Sequence, residues 1–105
     1  MRHLLLLRHA KTEREVPHGG GDFDRVLAPR GRRQLEGLRT QLAALRDAPE
    51  LVLASPASRT RETAEGLLAA FPEWDCDLVF DRALYLADAD AILGVLAAVP
   101  DDVRR

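Results

Sequence analysis

Four leucines in a row, Leu4 to Leu7, are the sequence feature that most limits the fold. A strand with one face in water alternates apolar and polar residues, and this run has no such alternation. We therefore predict that Arg2 to Leu7 is a parallel strand covered on both faces. The chain has 105 residues, 47% of them hydrophobic, which fits one domain over residues 1–105 with a modest core.

The rest of the sequence alternates helix-period segments with short apolar runs. Leucines recur at spacings of three and four between Pro29 and Arg46, which predicts an amphipathic helix. Apolar runs at 51–54 and 78–80 predict two more strands, each followed by a helix, and Asp88 can cap the last helix. This strand-helix-strand-helix-strand-helix order predicts an α/β fold, a three-layer sandwich with a mainly parallel sheet.

Composition argues against several classes of function. A net charge of -2 and a pI near 5.9 give no indication of binding to nucleic acid or to a membrane surface. The single cysteine, Cys76, can form no internal disulfide and has no metal-ligand spacing, so we expect no metal. We also expect no cofactor. The leucine run is too short for a signal peptide or a membrane span. The expected location is a reducing cytoplasm.

Polar residues follow the first two predicted strands. Arg8 and His9 end the first, and Ser55 to Arg59 follow the second. Ligands of parallel α/β sheets bind beyond the carboxyl ends of the strands, so we expect these residues to share one pocket. Two arginine forks near a helix N-terminus favour a phosphate group. A neutral imidazole beside that group can attack phosphorus without first losing a proton, which predicts a nucleophilic role for His9.

The loop before the first predicted helix leaves alternatives open. Its "HGGG" stretch matches the oxyanion motif of lipases, but no G-x-S-x-G accompanies it, so we interpret the stretch as a loop. Asp22, Asp24 and Arg25 could border a substrate mouth or only organise the loop. Lys11 could add positive charge beside the phosphate or be solvated.

Three motifs resemble the histidine phosphatase, or phosphoglycerate mutase-like, superfamily. They are R-H-A in "LLLLRHAKTE", S-P-x-x-R-x-x-x-T-A in "LVLASPASRTRETAEGL", and "DFDRVLAPRGRRQ", which is similar to D-x-x-R-x-L-T-x-x-G-x-x-Q of the small bacterial phosphohistidine phosphatases. The resemblance implies that His9 is the phosphorylated nucleophile and that Arg8 and Arg59 hold the phosphoryl oxygens. It also implies a phosphorylated protein or a small phosphorylated molecule as substrate.

Other features depart from the family pattern. The family's second histidine, in a G-H-x-x segment after the third helix, has no match, so the chain corresponds to the N-terminal part of the family fold. Ala28 replaces a capping threonine, and the mutase glutamate is missing, with Asp81 and Arg82 in that region. Two functions stay open. One is a protein phosphohistidine phosphatase; the other is an inactive phosphate- or phosphopeptide-binding remnant, or a fragment of a longer phosphatase.

The family resemblance also predicts an interaction between chains. In the family, the strand with the second histidine pairs beside the first strand, so here the first strand would lie at a sheet edge. An apolar edge with unpaired backbone groups is a template for another chain. We expect a homo-oligomer through that edge, most simply a dimer with two-fold symmetry.

Overall fold

The computed structural model describes residues 3–7, 12–13 and 20–105. The described elements alternate in the order α1 Pro29–Ala43, β1 Leu51–Ala54, α2 Ser58–Leu68, β2 Asp77–Phe80 and α3 Ala89–Ala97. Single turns of 3-10 helix lie at Asp22–Asp24 and Arg82–Leu84. Strands β1 and β2 pair in parallel, with Leu51 opposite Asp77. The predicted α/β class is therefore confirmed, and no helix in the described residues has the length and hydropathy to cross a bilayer.

Helix α1 begins without a side-chain cap. Pro29 occupies the first turn, where its fixed φ suits a helix, and the preceding Ala28 provides no capping hydrogen bond. Glu62 of α2 instead binds the residues beside this helix start: its Oε1 accepts from the Leu27 N–H at 3.1 Å. The other oxygen of Glu62 accepts from Arg32 Nη2 at 2.7 Å. Helix α2 thus binds the start of α1 from outside the helix.

The buried core lies between α1 and α2. Leu27, Leu35 and Leu67 are buried together, and Leu38 and Leu42 pack against them. The leucine spacing of α1 predicted this apolar stripe, because residues three and four apart share one face of a helix.

Residues 3–7 contain no strand, which corrects the prediction of a strand over 2–7. The His3 N–H donates to the Arg104 carbonyl at 2.8 Å. The next carbonyl, that of Arg105, accepts from the Leu51 N–H at 3.1 Å. Residues 104–105 therefore lie between this segment and the start of β1. The backbone partners of His3 and Leu51 are therefore in residues 104–105.

We call the side chains of Leu4, Leu5, Leu6 and Leu7 the leucine face. They are 59%, 60%, 71% and 46% exposed. With apolar residues of β1, α2 and α3 they line a cavity of about 570 Å³. Protein interiors contain few voids larger than a water molecule, so this side of the molecule is much less completely packed than the interface of α1 and α2.

Candidate functional site

Arg59 lies in the first turn of α2, just beyond the carboxyl end of β1. It is only 7% exposed. Hydroxyl groups fix the turn that leads to it. Ser55 Oγ accepts from the Ala57 N–H at 3.2 Å, and Thr60 Oγ1 donates to the Ser55 carbonyl at 2.6 Å. The "SPASRT" segment thus sets the position of Arg59 at the strand end where the sequence predicted an anion-binding group.

The Arg59 guanidinium binds Asp22 through two nitrogens. Nη1 donates to the Asp22 backbone carbonyl at 2.8 Å, and Nη2 donates to Oδ2 at 3.1 Å. The Tyr85 hydroxyl donates to the same Oδ2 at 2.6 Å. We call Asp22, Arg59 and Tyr85 the Arg59 cluster. Its members come from three segments: the turn before α1, the start of α2 and the chain after β2.

Electrostatics fix the protonation states in the Arg59 cluster. The pKa of Asp22 is lowered, because the Tyr85 hydroxyl and then the Arg59 guanidinium stabilise the carboxylate against an opposing cost of burial. The pKa of Tyr85 is raised, because its proton is held in the hydrogen bond to Asp22. At neutral pH the carboxylate is therefore ionised and the phenol keeps its proton.

Aromatic rings support the Arg59 cluster. Phe23 packs edge-on against Tyr85, with ring centroids 5.1 Å apart and an interplanar angle of 77°. The Arg59 Cζ lies 5.7 Å from the Tyr85 centroid, and the Arg82 Cζ lies 5.0 Å from that of Phe23. Cation–π and edge-to-face contacts thus hold the turn Asp22–Asp24 against the segment after β2.

Arg25 connects the Arg59 cluster to residues 12–13. Its Nη2 donates to Thr12 Oγ1 at 2.6 Å, its Nε donates to the Glu13 carbonyl at 3.0 Å, and its Nη1 lies 3.4 Å from Asp22 Oδ1. Thr12 also forms an antiparallel bridge with Leu27. The residues that closely follow the R-H-A motif are therefore bound to the same segment that contacts Arg59.

The sequence-predicted site residues have different outcomes. Arg8, His9 and Lys11 lie outside the described residues, so their roles stay predictions. Arg25 organises the loop, which was one of the two alternatives for this residue. Asp24 is exposed, and its carboxylate has no ion-pair partner within residues 3–7, 12–13 and 20–105. Contact of either residue with substrate remains a prediction.

Sequence reasoning missed Tyr85 and gave Asp22 no partner. Tyr85 follows the end of β2 at Phe80 by five positions. The rule that ligands bind beyond the carboxyl ends of parallel strands therefore pointed to this segment. The apolar cavity does not indicate the position of the Arg59 cluster, because its described lining includes Ser55 but no member of that cluster.

The chain matches a protein-family model and two curated proteins. The model of the histidine phosphatase superfamily (branch 1) matches residues 4–85. The uncharacterized protein ML1117 of Mycobacterium leprae (strain TN) is 38% identical over 103 residues, which covers 92% of this chain and 58% of that protein. The mitochondrial serine/threonine-protein phosphatase PGAM5 of Xenopus laevis is 35% identical over 72 residues, which covers 69% of this chain and 25% of that protein.

Two solved structures share the fold. The candidate phosphohistidine phosphatase SixA of Agrobacterium tumefaciens superposes with a TM-score of 0.77 at 32% identity, covering 91% of this chain and 59% of that one. The corresponding Nakamurella protein gives 0.77 at 31% identity, covering 94% of this chain and 52% of that one. The chain thus spans little more than half the length of these structures. By its motifs, its fold and these matches, it belongs to the histidine phosphatase superfamily.

Proposed function

We propose that the chain is a phosphatase that hydrolyses phosphohistidine through a phosphorylated His9. The observation that carries the proposal is the placement of Arg59, a buried arginine beyond the carboxyl end of β1. Contacts through Asp22 and Arg25 connect it to Thr12, three positions after His9 in the sequence. This arrangement supports a single phosphate site shared by the R-H-A and S-P-x-x-R motifs.

The proposed reaction has two steps. An imidazole nitrogen of His9 attacks phosphorus, the P–N bond to the substrate histidine breaks, and the released imidazole takes up a proton from water. A water molecule then attacks phosphorus, which releases inorganic phosphate and restores His9. Arg8 and Arg59 donate charged hydrogen bonds to the phosphoryl oxygens in both steps. A phosphoramidate leaving group needs less acid assistance than a sugar alkoxide, which agrees with the missing mutase glutamate.

The similar proteins support two substrate classes. The SixA structures carry phosphohistidine in their names and match over nine-tenths of this chain. The PGAM5 relative is named as a serine/threonine phosphatase and matches a shorter part. We therefore propose a phosphohistidine protein as substrate and phosphoserine as the comparison substrate. The cytoplasm remains our proposed location, because Cys76 is a free thiol.

A binding module without turnover is the second candidate. Its support is the guanidinium of Arg59, which Asp22 holds in place, because a fixed arginine can bind phosphate whether or not a nucleophile is active. Both candidates place phosphate at the same arginine. They differ only in whether a covalent bond to His9 forms.

Covalent labelling separates the two candidates. We expect incubation with phosphoramidate, followed by an alkaline quench and mass spectrometry, to detect a phosphoryl group on His9. His9→Ala should abolish both the adduct and the release of phosphate from a phosphohistidine peptide. His18→Ala is the matched control, because it removes a histidine nine positions further along the sequence that has no predicted catalytic role, and it should leave both signals intact.

Each other outcome has a definite meaning. Phosphate binding without an adduct favours the binding module. Turnover of a phosphoserine peptide at a higher rate than the phosphohistidine peptide contradicts the proposed substrate. Wild-type turnover in His9→Ala contradicts the assignment of the nucleophile.

A further inference from the structure

We propose that Asp22 and Tyr85 are positioning residues, which orient the guanidinium of Arg59 for the phosphoryl group. The proposal rests on the proposed function, because it concerns the same anion site. A guanidinium has five N–H donors, and Asp22 accepts two of them, one from each terminal nitrogen. The remaining three donors, on Nε and on the two terminal nitrogens, are not taken by Asp22.

Two acceptors on a single residue fix more than the position of Arg59. The backbone carbonyl of Asp22 takes Nη1 at 2.8 Å and its carboxylate takes Nη2 at 3.1 Å. Together they set the plane in which the guanidinium lies. An arginine that is oriented before binding loses less conformational entropy when the anion arrives, so the same contacts give tighter binding.

Tyr85 fixes the carboxylate in turn. The side chain of Asp22 is 43% exposed, whereas that of Arg59 is 9% exposed. A half-exposed carboxylate is able to rotate toward water. The 2.6 Å hydrogen bond from the Tyr85 hydroxyl holds Oδ2 toward Arg59, and the contact with Phe23 holds the Tyr85 ring. Tyr85 therefore orients the carboxylate of Asp22, and Asp22 in turn orients the guanidinium of Arg59.

The opposite role for Asp22 makes the opposite prediction. A carboxylate that only competes with phosphate for Arg59 would lower the affinity of the site, so its removal would tighten binding. A positioning carboxylate raises the affinity, so its removal weakens binding. An asparagine in its place keeps an oxygen that can accept from Nη2, and it should restore the positioning role.

Calorimetric titration of the folded chain with inorganic phosphate tests the proposal. We expect Asp22→Ala to weaken phosphate binding about tenfold, because a charged hydrogen bond that orients the arginine is lost. Asp22→Asn should recover most of that loss. Tyr85→Phe keeps the ring and removes only the hydroxyl, and it should weaken binding about threefold.

Glu65→Gln is the matched control. It removes the carboxylate that pairs with Arg61 at 3.4 Å on the exposed side of the same helix, and phosphate affinity should stay unchanged. Thermal unfolding tests whether each variant is folded. If Asp22→Ala does not fold, the titration of Tyr85→Phe decides the outcome.

Three results overturn the proposal: tighter or unchanged binding in Asp22→Ala, equal losses in Asp22→Ala and Asp22→Asn, or unchanged binding in Tyr85→Phe. Phosphohistidine hydrolysis, measured in parallel, reports separately on the proposed function. Normal phosphate binding without turnover contradicts the phosphatase and leaves the positioning role standing.

Discussion

The Arg59 cluster and the leucine face differ in how completely their side chains are paired or covered within one chain. In the cluster, a buried arginine, a carboxylate and a phenol satisfy one another at 2.6 to 3.1 Å. On the leucine face, four leucines are at least 46% exposed and border a cavity of about 570 Å³. The polar side of the molecule is organised by specific hydrogen bonds, whereas the apolar side has more surface than this chain covers.

The difference shows which side depends on further contacts. The hydrogen bonds of the Arg59 cluster join three segments of one chain, so the cluster forms without a second chain. Apolar surface gains stability only when something removes it from water.

We expect a second copy of the chain to cover the leucine face, and disrupting that contact should give the largest effect. Leu6→Glu places a charge at the most exposed position of the face, where Leu6 is 71% exposed. Its cost in one chain is small, but burying an unpaired carboxylate in an interface should weaken association about a hundredfold or more. Light scattering across a dilution series measures the change.

Leu93→Glu is the control for that experiment. Leu93 is 62% exposed on α3 and does not line the cavity, so the same substitution there should leave association unchanged. A folded wild-type monomer at micromolar concentration, or equal effects of the two variants, contradicts the expected dimer.

The polar side should respond to Arg59→Ala. Loss of its charged hydrogen bonds should weaken phosphate binding by ~1.5–3 kcal/mol. Arg59→Lys keeps the charge but not the planar fork, so its phosphate affinity should lie between those of the wild type and Arg59→Ala. Arg61→Ala removes an exposed arginine two positions away and should bind phosphate normally. Unchanged affinity in Arg59→Ala would show that this arginine does not bind the anion.

The sequence predicted the elements whose cause is local. The leucine spacing of α1 and the apolar run of β1 follow from side-chain periodicity. Asp88 caps α3 as predicted, because its Oδ1 accepts from the Ala91 N–H at 2.9 Å. Arg59 lies at the predicted strand end for the same reason, since the position of a residue relative to its own strand is a local property.

The wrong and missing predictions have nonlocal causes. The backbone N–H of His3 donates to Arg104, a partner 101 positions away that no periodicity indicates. Tyr85 and Asp22 are 63 positions apart, and a hydrogen bond between them depends on how two loops approach each other. Motifs identified the arginine, but only the tertiary structure shows which residues hold it.

Acid should affect the two sides differently. The pKa of Asp22 is depressed below its ordinary value of 3.8 in the folded chain. Its ionised form therefore adds stability that is present above the unfolded pKa and is lost as pH falls through the folded one. The wild type should lose more free energy of unfolding between about pH 5 and about pH 3 than Asp22→Asn does.

Urea denaturation at both pH values measures this difference. Leu6→Ala is the control from the leucine face, which carries no titratable group, and it should lose as much stability in acid as the wild type. Equal losses in Asp22→Asn and the wild type would show that Asp22 makes no stabilising contact as an anion.

The smallest expected effect is that of a single methyl group at the packed interface of α1 and α2. A Cβ at Gly66 would lie 3.0 Å from Leu35 Cδ1, whereas a Cβ at Gly37 or Gly94 would meet no atom within 4 Å. Gly37→Ala should raise the free energy of unfolding by about 0.5–1 kcal/mol, because alanine is the better helix former. Gly66→Ala gains the same propensity, but Leu35 must move within the buried core, so its net gain should be smaller or negative. Gly94→Ala, on α3, should behave as Gly37→Ala does. Equal gains at all three positions in urea denaturation would show that Leu35 has room to move within this interface.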